Sequence, residues 1–352
     1  MGRMGIGVIG GGGIAAEGHI RGYQTDARCE VVAVYDVDQA KAQEQAQRLG
    51  VPHVHLALEE FLARDDIQAV SVCSPDHLHG AHVHAALRAG KHVLCEKPMC
   101  TTWADAAQIV QDVRETKLVF LGGHVYHFRP DYHAMAAAYW TGEIGDVWLA
   151  EGDYISDMRP FYGPNSQTPW RTDTNAAQDI LLGGGCHPMG LMLWAMKTEV
   201  TQVFASANHK AEPTLPLNDC YVLSLQFANG AIGKLIAASG NRGYAPNGGH
   251  LVLYGTKGTL WGGKLYRNNP ENHRSEIVHD YREQFKDHKP RVHDTRQVHH
   301  FAEQCEHFLD CIEGKAQPQM GAVEAGRVVA ALVAGLESVR TGKPVEVNNN
   351  FG

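Results

Sequence analysis

The sequence predicts an α/β protein of two domains, the first built on a parallel sheet and the second an α+β domain with a large, open, mostly antiparallel sheet. Three observations predict it. Short β-branched runs alternate with Ala-rich helical stretches as far as Gly123, the rhythm of βαβ units. Longer strand-like runs joined by turns follow, as expected of antiparallel neighbours. A chain of 352 residues is also long enough to bury two cores. The boundary falls at 122/123, giving domains 1–122 and 123–352.

In the first domain the strands are expected at Gly5 to Ile9, Glu30 to Tyr35, Ala69 to Cys73, His92 to Cys95 and Leu118 to Leu121. Helices at Gln39 to Leu49, His79 to Ala89 and Ala104 to Lys117 lie between them. Thr102 with Asp105 three residues later forms a capping box for the last helix, and Gly90 stands where a C-terminal cap belongs. In the second domain strands are expected at Val147 to Tyr154, Val200 to Asn208, Cys220 to Phe227, Ala231 to Ala238 and His250 to Tyr254. Asn229-Gly230 is a hairpin turn, because both residues tolerate positive φ. The polar stretch from Asn268 to Arg296 is expected to be an exposed loop or arm, and Val323 to Val339 a helix on the sheet. An open sheet has an outer face to cover, so a homo-oligomer, dimer or tetramer, is expected through it.

Hydrophobic residues at 44% and charged residues at 20% are those of an ordinary globular chain. A net charge of −8 argues against a nucleic-acid partner, since neutralising phosphates takes clustered Lys and Arg. A small molecule is the expected ligand. The eight cysteines are scattered without C-x-x-C pairs, as reduced thiols of a cytoplasmic protein would be. No apolar run has the length of a membrane span, and a β-type run begins within the first few residues, leaving no room for a signal peptide.

Chemistry first surfaces in Gly10-Gly11-Gly12-Gly13-Ile14-Ala15. The pattern G-x-G-x-x-[GA] fits from Gly5, Gly10 or Gly11, but only the last two frames leave a strand in front. The preferred frame is Gly10, Gly12 and Ala15, with Gly13 and Ile14 at the helix opening, where bare N–H groups face a pyrophosphate. This is the fingerprint of a Rossmann domain. Asp36 follows the second strand, about twenty residues on, where an acid accepts hydrogen bonds from the adenosine ribose. Val37 and Asp38 come next, with no Arg nearby, so NAD is favoured over NADP. Ser74-Pro75-Asp76 and Glu96-Lys97-Pro98 end two further strands, and a parallel sheet delivers all these loops to one edge. Lys97 is the candidate acid/base there.

These residues carry a resemblance. The glycine loop with His19, then Asp36, Ser74-Pro75-Asp76-His77-Leu78-His79, Ala89-Gly90-Lys91-His92-Val93 and Glu96-Lys97-Pro98, resembles the Gfo/Idh/MocA family of oxidoreductases. Phe128-Arg129-Pro130, Gly142-Glu143-Ile144-Gly145, Trp170-Arg171, Gly183-Gly184-Gly185-Cys186-His187-Pro188 and Gly342-Lys343-Pro344-Val345 extend the likeness over nearly the whole chain. It implies that Lys97 contacts the reacting hydroxyl or its neighbour, that Pro98 follows a cis peptide, that His79 lines the cofactor crevice and that His187 is the general acid/base. Histidine suits that role because it titrates near neutrality.

One departure stands out. Many members read D-x-G-x-H-x-x-D where this chain has Gly183 and Gly190, so both carboxylates are missing; Asp179 is a candidate replacement. The Gly-Gly-Gly-Cys-His-Pro segment resembles the sugar and glycoside dehydrogenases more than the inositol ones. Substrate contacts are expected from His124, Tyr126, Trp170 and Arg171, since sugar sites combine stacking aromatics with donors. No metal is expected: neither His77, His79, His82 and His84 nor His288, His293, His299 and His300 make a tetrahedral set. The leading expectation is NAD-dependent hydride transfer on a sugar, glycoside or cyclic polyol. Two readings stay beside it, glycoside cleavage through transient ring oxidation and a non-catalytic NAD-binding sensor or repressor.

Overall fold

The computed structural model describes residues 2–351 except 163–165, 167, 174–175, 177, 213–214, 244, 246–250, 289 and 292–298. The chain divides into two compact units. One comprises Met1–Phe128, Lys289–Gly326 and Phe351–Gly352, the other Arg129–His288 and Arg327–Asn350. A single cut at 122/123 therefore does not describe the division, because the chain returns to the first unit. The reason is packing. Gly18 and Gly22 leave no side chain on one helix face, and the helix Phe301–Ile312 closes against it. A Cβ on Gly18 would stand 3.0 Å from the Phe301 ring, and one on Gly22 2.9 Å from the Cys305 sulfur.

The first unit holds six strands: β1 (Met4–Ile9), β2 (Cys29–Tyr35), β3 (His53–His55), β4 (Ala69–Val72), β5 (His92–Glu96) and β6 (Phe120–Gly123). They lie in the order β3-β2-β1-β4-β5-β6, every pair parallel. Strand order reverses between β1 and β4, and doubly wound sheets bind ligands at the carboxyl end of that junction. Helices cover both faces, so the strands carry unbroken apolar runs such as Ile6, Val8, Ile9, Val70, Val72, Val93 and Leu94, all buried. The expected helices form at Gln39–Leu49, His79–Arg88 and Trp103–Thr116. Thr102 accepts the Asp105 N–H at 3.1 Å and donates to its carboxylate at 2.7 Å, and Gly90 takes φ 76° at the cap before β5. Among the strands of this unit β3 escaped the sequence, being too short to show a period, and so did the helices Leu58–Leu62 and Phe301–Ile312.

The second unit carries nine strands: β7 (Val147–Ile155), β8 (Val200–Asn208), β9 (Cys220–Phe227), β10 (Ile232–Ala238), β11 (Leu251–Gly255), β12 (Thr259–Trp261), β13 (Lys264–Asn268), β14 (Ser275–Asp280) and β15 (Val345–Glu346). Their order is β14-β13-β12-β11-β7-β10-β9-β8-β15. All pairs are antiparallel except β7 with β10. Asn229-Gly230 does turn a hairpin, with Gly230 at φ 85° and the Phe227 N–H on Ala231 O at 2.9 Å. His250, the expected start of β11, lies outside the described residues, as do six of the residues in the expected polar arm. The rest of that arm is not a loop: β14 pairs with β13 along the sheet edge and runs into a short helix, Tyr281–Gln284. An edge strand exposed on both faces shows no alternation, which is why composition misread it.

Helix Cys186–Met196 lies on the inner face, where Gly152 of β7 leaves room for Pro188 and Met192. It is buried all round, so it lacks the polar stripe that marks a surface helix. The expected helix Val323 to Val339 forms as Ala322–Thr341. The outer face is different. Phe204, Val222, Ile232, Trp261 and Ile277 are each more than two-fifths exposed there. Among them Lys234 Nζ sits 3.1 Å from Glu151 and 3.4 Å from Asp153. No helix among the described residues is long and apolar enough to cross a membrane, and all eight cysteines are free thiols.

Candidate active site

The loops leaving β1, β2, β4, β5 and β6 meet at the carboxyl edge of the first sheet. Gly10 holds φ 99° directly after β1, and a Cβ there would stand 2.8 Å from Cys73 O and 3.0 Å from Ser74 N. Only glycine permits both the backbone angle and this approach to the β4 loop. The Gly11 N–H donates to Asp36 Oδ2 at 2.6 Å, and Asp36 Oδ1 accepts the Asp38 N–H at 2.9 Å. Beyond it the helix opens at Gly13, which is exposed with nothing within 4 Å of its missing Cβ. Ile14 is exposed beside it. This is the cradle a dinucleotide needs: bare N–H groups at a helix start, with open space in front and an acid to one side. Lys41 Nζ lies 3.8 Å from the point where a Gly12 Cβ would stand, a cation the sequence had not singled out.

Ser74 and Pro75 lead from β4 into the turn Asp76–Leu78 and the helix His79–Arg88. His79 is buried and bridges two loops, with Nδ1 2.6 Å from Pro98 O and Nε2 2.8 Å from Ser74 O. His82 Nδ1 meets Ser74 Oγ at 2.8 Å, while His84 Nδ1 lies 2.5 Å from Asp112 on the helix behind. These histidines are thus engaged with separate partners. Burial, then the charges of His79 and His77, pull His82 down to about 4.

At the end of β5, Glu96 is buried, Lys97 half-buried, and the Lys97–Pro98 peptide is cis. Glu96 Oε2 accepts the Lys97 N–H at 3.2 Å, and Oε1 faces His19 Nε2 at 3.0 Å. Burial alone would raise this carboxyl. The hydrogen bond and charge of His19 outweigh it and, with Lys97 and His79, bring the group down to about 2. His19 in turn reaches Ser71 Oγ at 3.0 Å, and Ser71 meets Tyr23 at 2.9 Å. From β6, Gly123 comes so close that a Cβ would stand 2.9 Å from Glu96 Cα. His124 follows; burial first, then the Lys97 charge, hold it at about 4. Tyr126 stacks on His299, ring centres 5.6 Å apart.

In the second unit His187 begins the helix Cys186–Met196, buried, with its ring stacked on Tyr154 at 5.6 Å. The preceding glycines are needed for space. Tyr154 would lie 2.5 Å from a Cβ on Gly184, and Leu181 O 2.5 Å from one on Gly185. At Gly183 the Gln178 side chain fills the volume at 2.4 Å, so an aspartate could not fit without displacing it. Gln178 was missed because it has meaning only against Gly183. Its N–H donates to Arg171 O at 3.2 Å, and the Arg171 guanidinium lies 4.7 Å over Trp170. His187, Trp170 and Arg171 therefore share one neighbourhood of this unit. Asp179 is no replacement for the missing acids. Its carboxylate caps the helix Ile180–Gly183 through the Leu181 N–H at 2.8 Å and accepts the Tyr221 hydroxyl at 2.7 Å.

Residues 4–124 match the family model for an oxidoreductase family with an NAD-binding Rossmann fold, and residues 140–347 match that family's C-terminal alpha/beta domain. An inositol 2-dehydrogenase from Acidothermus cellulolyticus is 35% identical over 215 residues, covering 60% of this chain and 59% of that protein. A 4-carboxy-2-hydroxymuconate-6-semialdehyde dehydrogenase from Sphingobium is 34% identical over 136 residues, 39% of this chain and 43% of that one. The chain thus spans less than two thirds of either relative. Among solved structures, a scyllo-inositol dehydrogenase from Lactobacillus casei, with NAD(H) and scyllo-inositol bound, shares the fold at TM-score 0.78 and 20% identity. That match covers 98% of this chain and 99% of the other.

Proposed function

The chain belongs to the Gfo/Idh/MocA family of NAD-binding oxidoreductases, and we propose that it moves a hydride between NAD and a secondary alcohol or ketone of a sugar, glycoside or cyclic polyol. The observation that carries this reading is the junction of the glycine turn, Asp36 and the Glu96-Lys97 loop on one sheet edge. A binding module has no use for a lysine and a buried carboxylate at that place.

Gly10, Gly12, Gly13 and Ile14 hold the pyrophosphate against the opening helix, and Asp36 takes the adenosine ribose. A 2′-phosphate would meet the Asp36 and Asp38 carboxylates, so NAD is preferred to NADP. Ser74, Pro75, His79 and Glu96 shape the edge on which the nicotinamide half rests. When bound, the cofactor supplies the carbon that accepts the hydride. Lys97 donates a hydrogen bond to the oxygen of the reacting carbon and favours its alkoxide character. His187 takes the hydroxyl proton as the carbon–hydrogen bond breaks, and returns it in reduction. Tyr126, Trp170 and Arg171 bind the ring, the first two by stacking and Arg171 by donating hydrogen bonds. With Gly183 and Gly190 in place of acids, and Gln178 filling the first gap, the ligand pocket of the second unit is more neutral than a carboxylate pair would make it.

The inositol 2-dehydrogenase relative supports a cyclic polyhydroxylated substrate. The free thiols fit a cytoplasmic protein, and the apolar outer sheet fits a homo-oligomer, a dimer or tetramer. The test is absorbance at 340 nm over a panel of sugars, glycosides and cyclic polyols, with NAD and NADP run in parallel. NADH should form with at least one member, faster than NADPH does. No reduction of either cofactor across the panel would reject the assignment.

A further inference from the structure

The geometry points to His19 as a positioning residue: its buried ring fixes the Glu96 carboxylate, and through it the backbone of Lys97. This rests on the reading above in giving Lys97 its role, and it assigns a task to a side chain that the hydride-transfer scheme does not use.

His19 is fully buried on the stretch Ala15–Ile20, whose turns are wider than α-helical. Such wide turns recur at functional sites because they rotate a side chain out of its regular position. Here the ring spans from Ser71 on β4 to Glu96 on β5, 3.0 Å at each end. Burial pushes the Tyr23 hydroxyl far up, so it keeps its proton and shares a hydrogen bond with Ser71 Oγ at 2.9 Å. Glu96, held near 2, only accepts. The proton between His19 and Glu96 therefore sits on His19 Nε2; at Nδ1 a neutral ring accepts the Ser71 hydroxyl, and a charged ring donates to it. In either state Nε2–H is the donor that holds Glu96.

The remaining oxygen of Glu96 accepts the Lys97 N–H at 3.2 Å. One ring thus ties the helix that opens on the glycine turn to the loop that carries the lysine. Removing it would leave a buried carboxylate with a vacant acceptor, which is costly where replacing both partners is not. The other groups facing Glu96 are Lys97, His79 and His124, with the thiols of Cys73, Cys95 and Cys305. His19 is the group that makes a side-chain hydrogen bond to it.

The test uses the full chain with the best substrate of the panel. His19→Leu should lower kcat at least tenfold and leave the Kd for NAD within threefold. It should also move the acid limb of the kcat profile up by more than one pH unit, because burial then dominates Glu96. His19→Gln, which keeps a donor, should recover most of kcat. A ring that only packs would lower the melting temperature and leave the acid limb in place, and that result overturns the inference. Should His19→Leu not fold, Ser71→Ala carries the test: a three- to tenfold loss of kcat with unchanged NAD affinity supports it, and wild-type kcat and pH profile overturn it. If wild type reduces NAD with no panel member, the functional reading has failed separately. Imidazole 15N spectra of the ligand-free protein then decide: a His19 proton on Nε2, with or without one on Nδ1, upholds the inference, and a proton on Nδ1 alone ends it.

Discussion

The Asp36 carboxylate accepts the Gly11 backbone N–H at 2.6 Å, so the acid proposed to bind the ribose also pins the glycine turn. A hydrogen bond to a charged group contributes on the order of 1.5–3 kcal/mol. Asp36→Ala should therefore raise the KM for NAD by roughly 10- to 100-fold, since each 1.4 kcal/mol is tenfold. It should also narrow the preference for NAD over NADP, because the repulsion of the 2′-phosphate goes with the carboxylate and Lys41 remains close by. Steady-state kinetics with both cofactors measures this; an unchanged NAD/NADP ratio would show that Asp36 does not set the choice.

Lys97→Met and His187→Asn remove the two side chains proposed to handle the proton, without reaching the glycine turn. General acid–base groups contribute about 10²- to 10⁴-fold. Each variant should lose turnover within that range while binding NAD within a few-fold of wild type, as read by protein-fluorescence titration. Turnover at the wild-type rate in either variant would remove that residue from the mechanism.

His82 and His124 are both held at about 4 by burial, against an ordinary value of 6.5. The folded pKa is depressed, so the unfolded chain takes up protons first as the solution is acidified. The stability that depends on their neutral forms is complete above about pH 6.5 and is lost as pH falls toward 4. The expected loss is on the order of 2 kcal/mol for each group. Urea unfolding between pH 7 and 4 should show the decline, and His82→Gln should make it shallower. A flat profile in wild type would mean that both rings charge freely in the folded protein.

The outer face of the second sheet sets Phe204, Val222 and Ile232 around the Lys234–Glu151 ion pair. Exposed apolar area of this kind marks an interaction surface. Ile232→Lys with Phe204→Glu should convert an oligomer into monomers in light scattering coupled to size exclusion, with the circular dichroism unchanged. A wild-type protein that is already monomeric at micromolar concentration would exclude this face as the interface.

What could be read in advance was local. Gly10, Asp36 and the Thr102–Asp105 box each declare themselves within a few residues, because turn geometry and capping are decided by near neighbours. The carboxyl-edge gathering of Ser74, His79, Glu96 and Lys97 was legible too, since a parallel sheet leaves those loops no other edge. His19 and Glu96 are 77 positions apart, and nothing in either segment announces the other. Gln178 is silent for the same reason, as its meaning is the absent side chain of Gly183. Asp179 misled because a helix cap and a catalytic acid look alike in sequence. The edge strand Ser275–Asp280 was hidden by its polarity.

The close contact of Gly18 and Gly22 with Phe301 and Cys305 has a bearing on biosynthesis. The nucleotide-binding half cannot finish assembling when its own sheet has left the ribosome, because the helix that seals it is translated only after β7 to β14 of the second unit. Until then Phe301's berth on the early helix is an open apolar patch. A nascent chain stalled anywhere in the second unit should accordingly be a client for chaperones, and a fragment ended at Phe128 a poor domain.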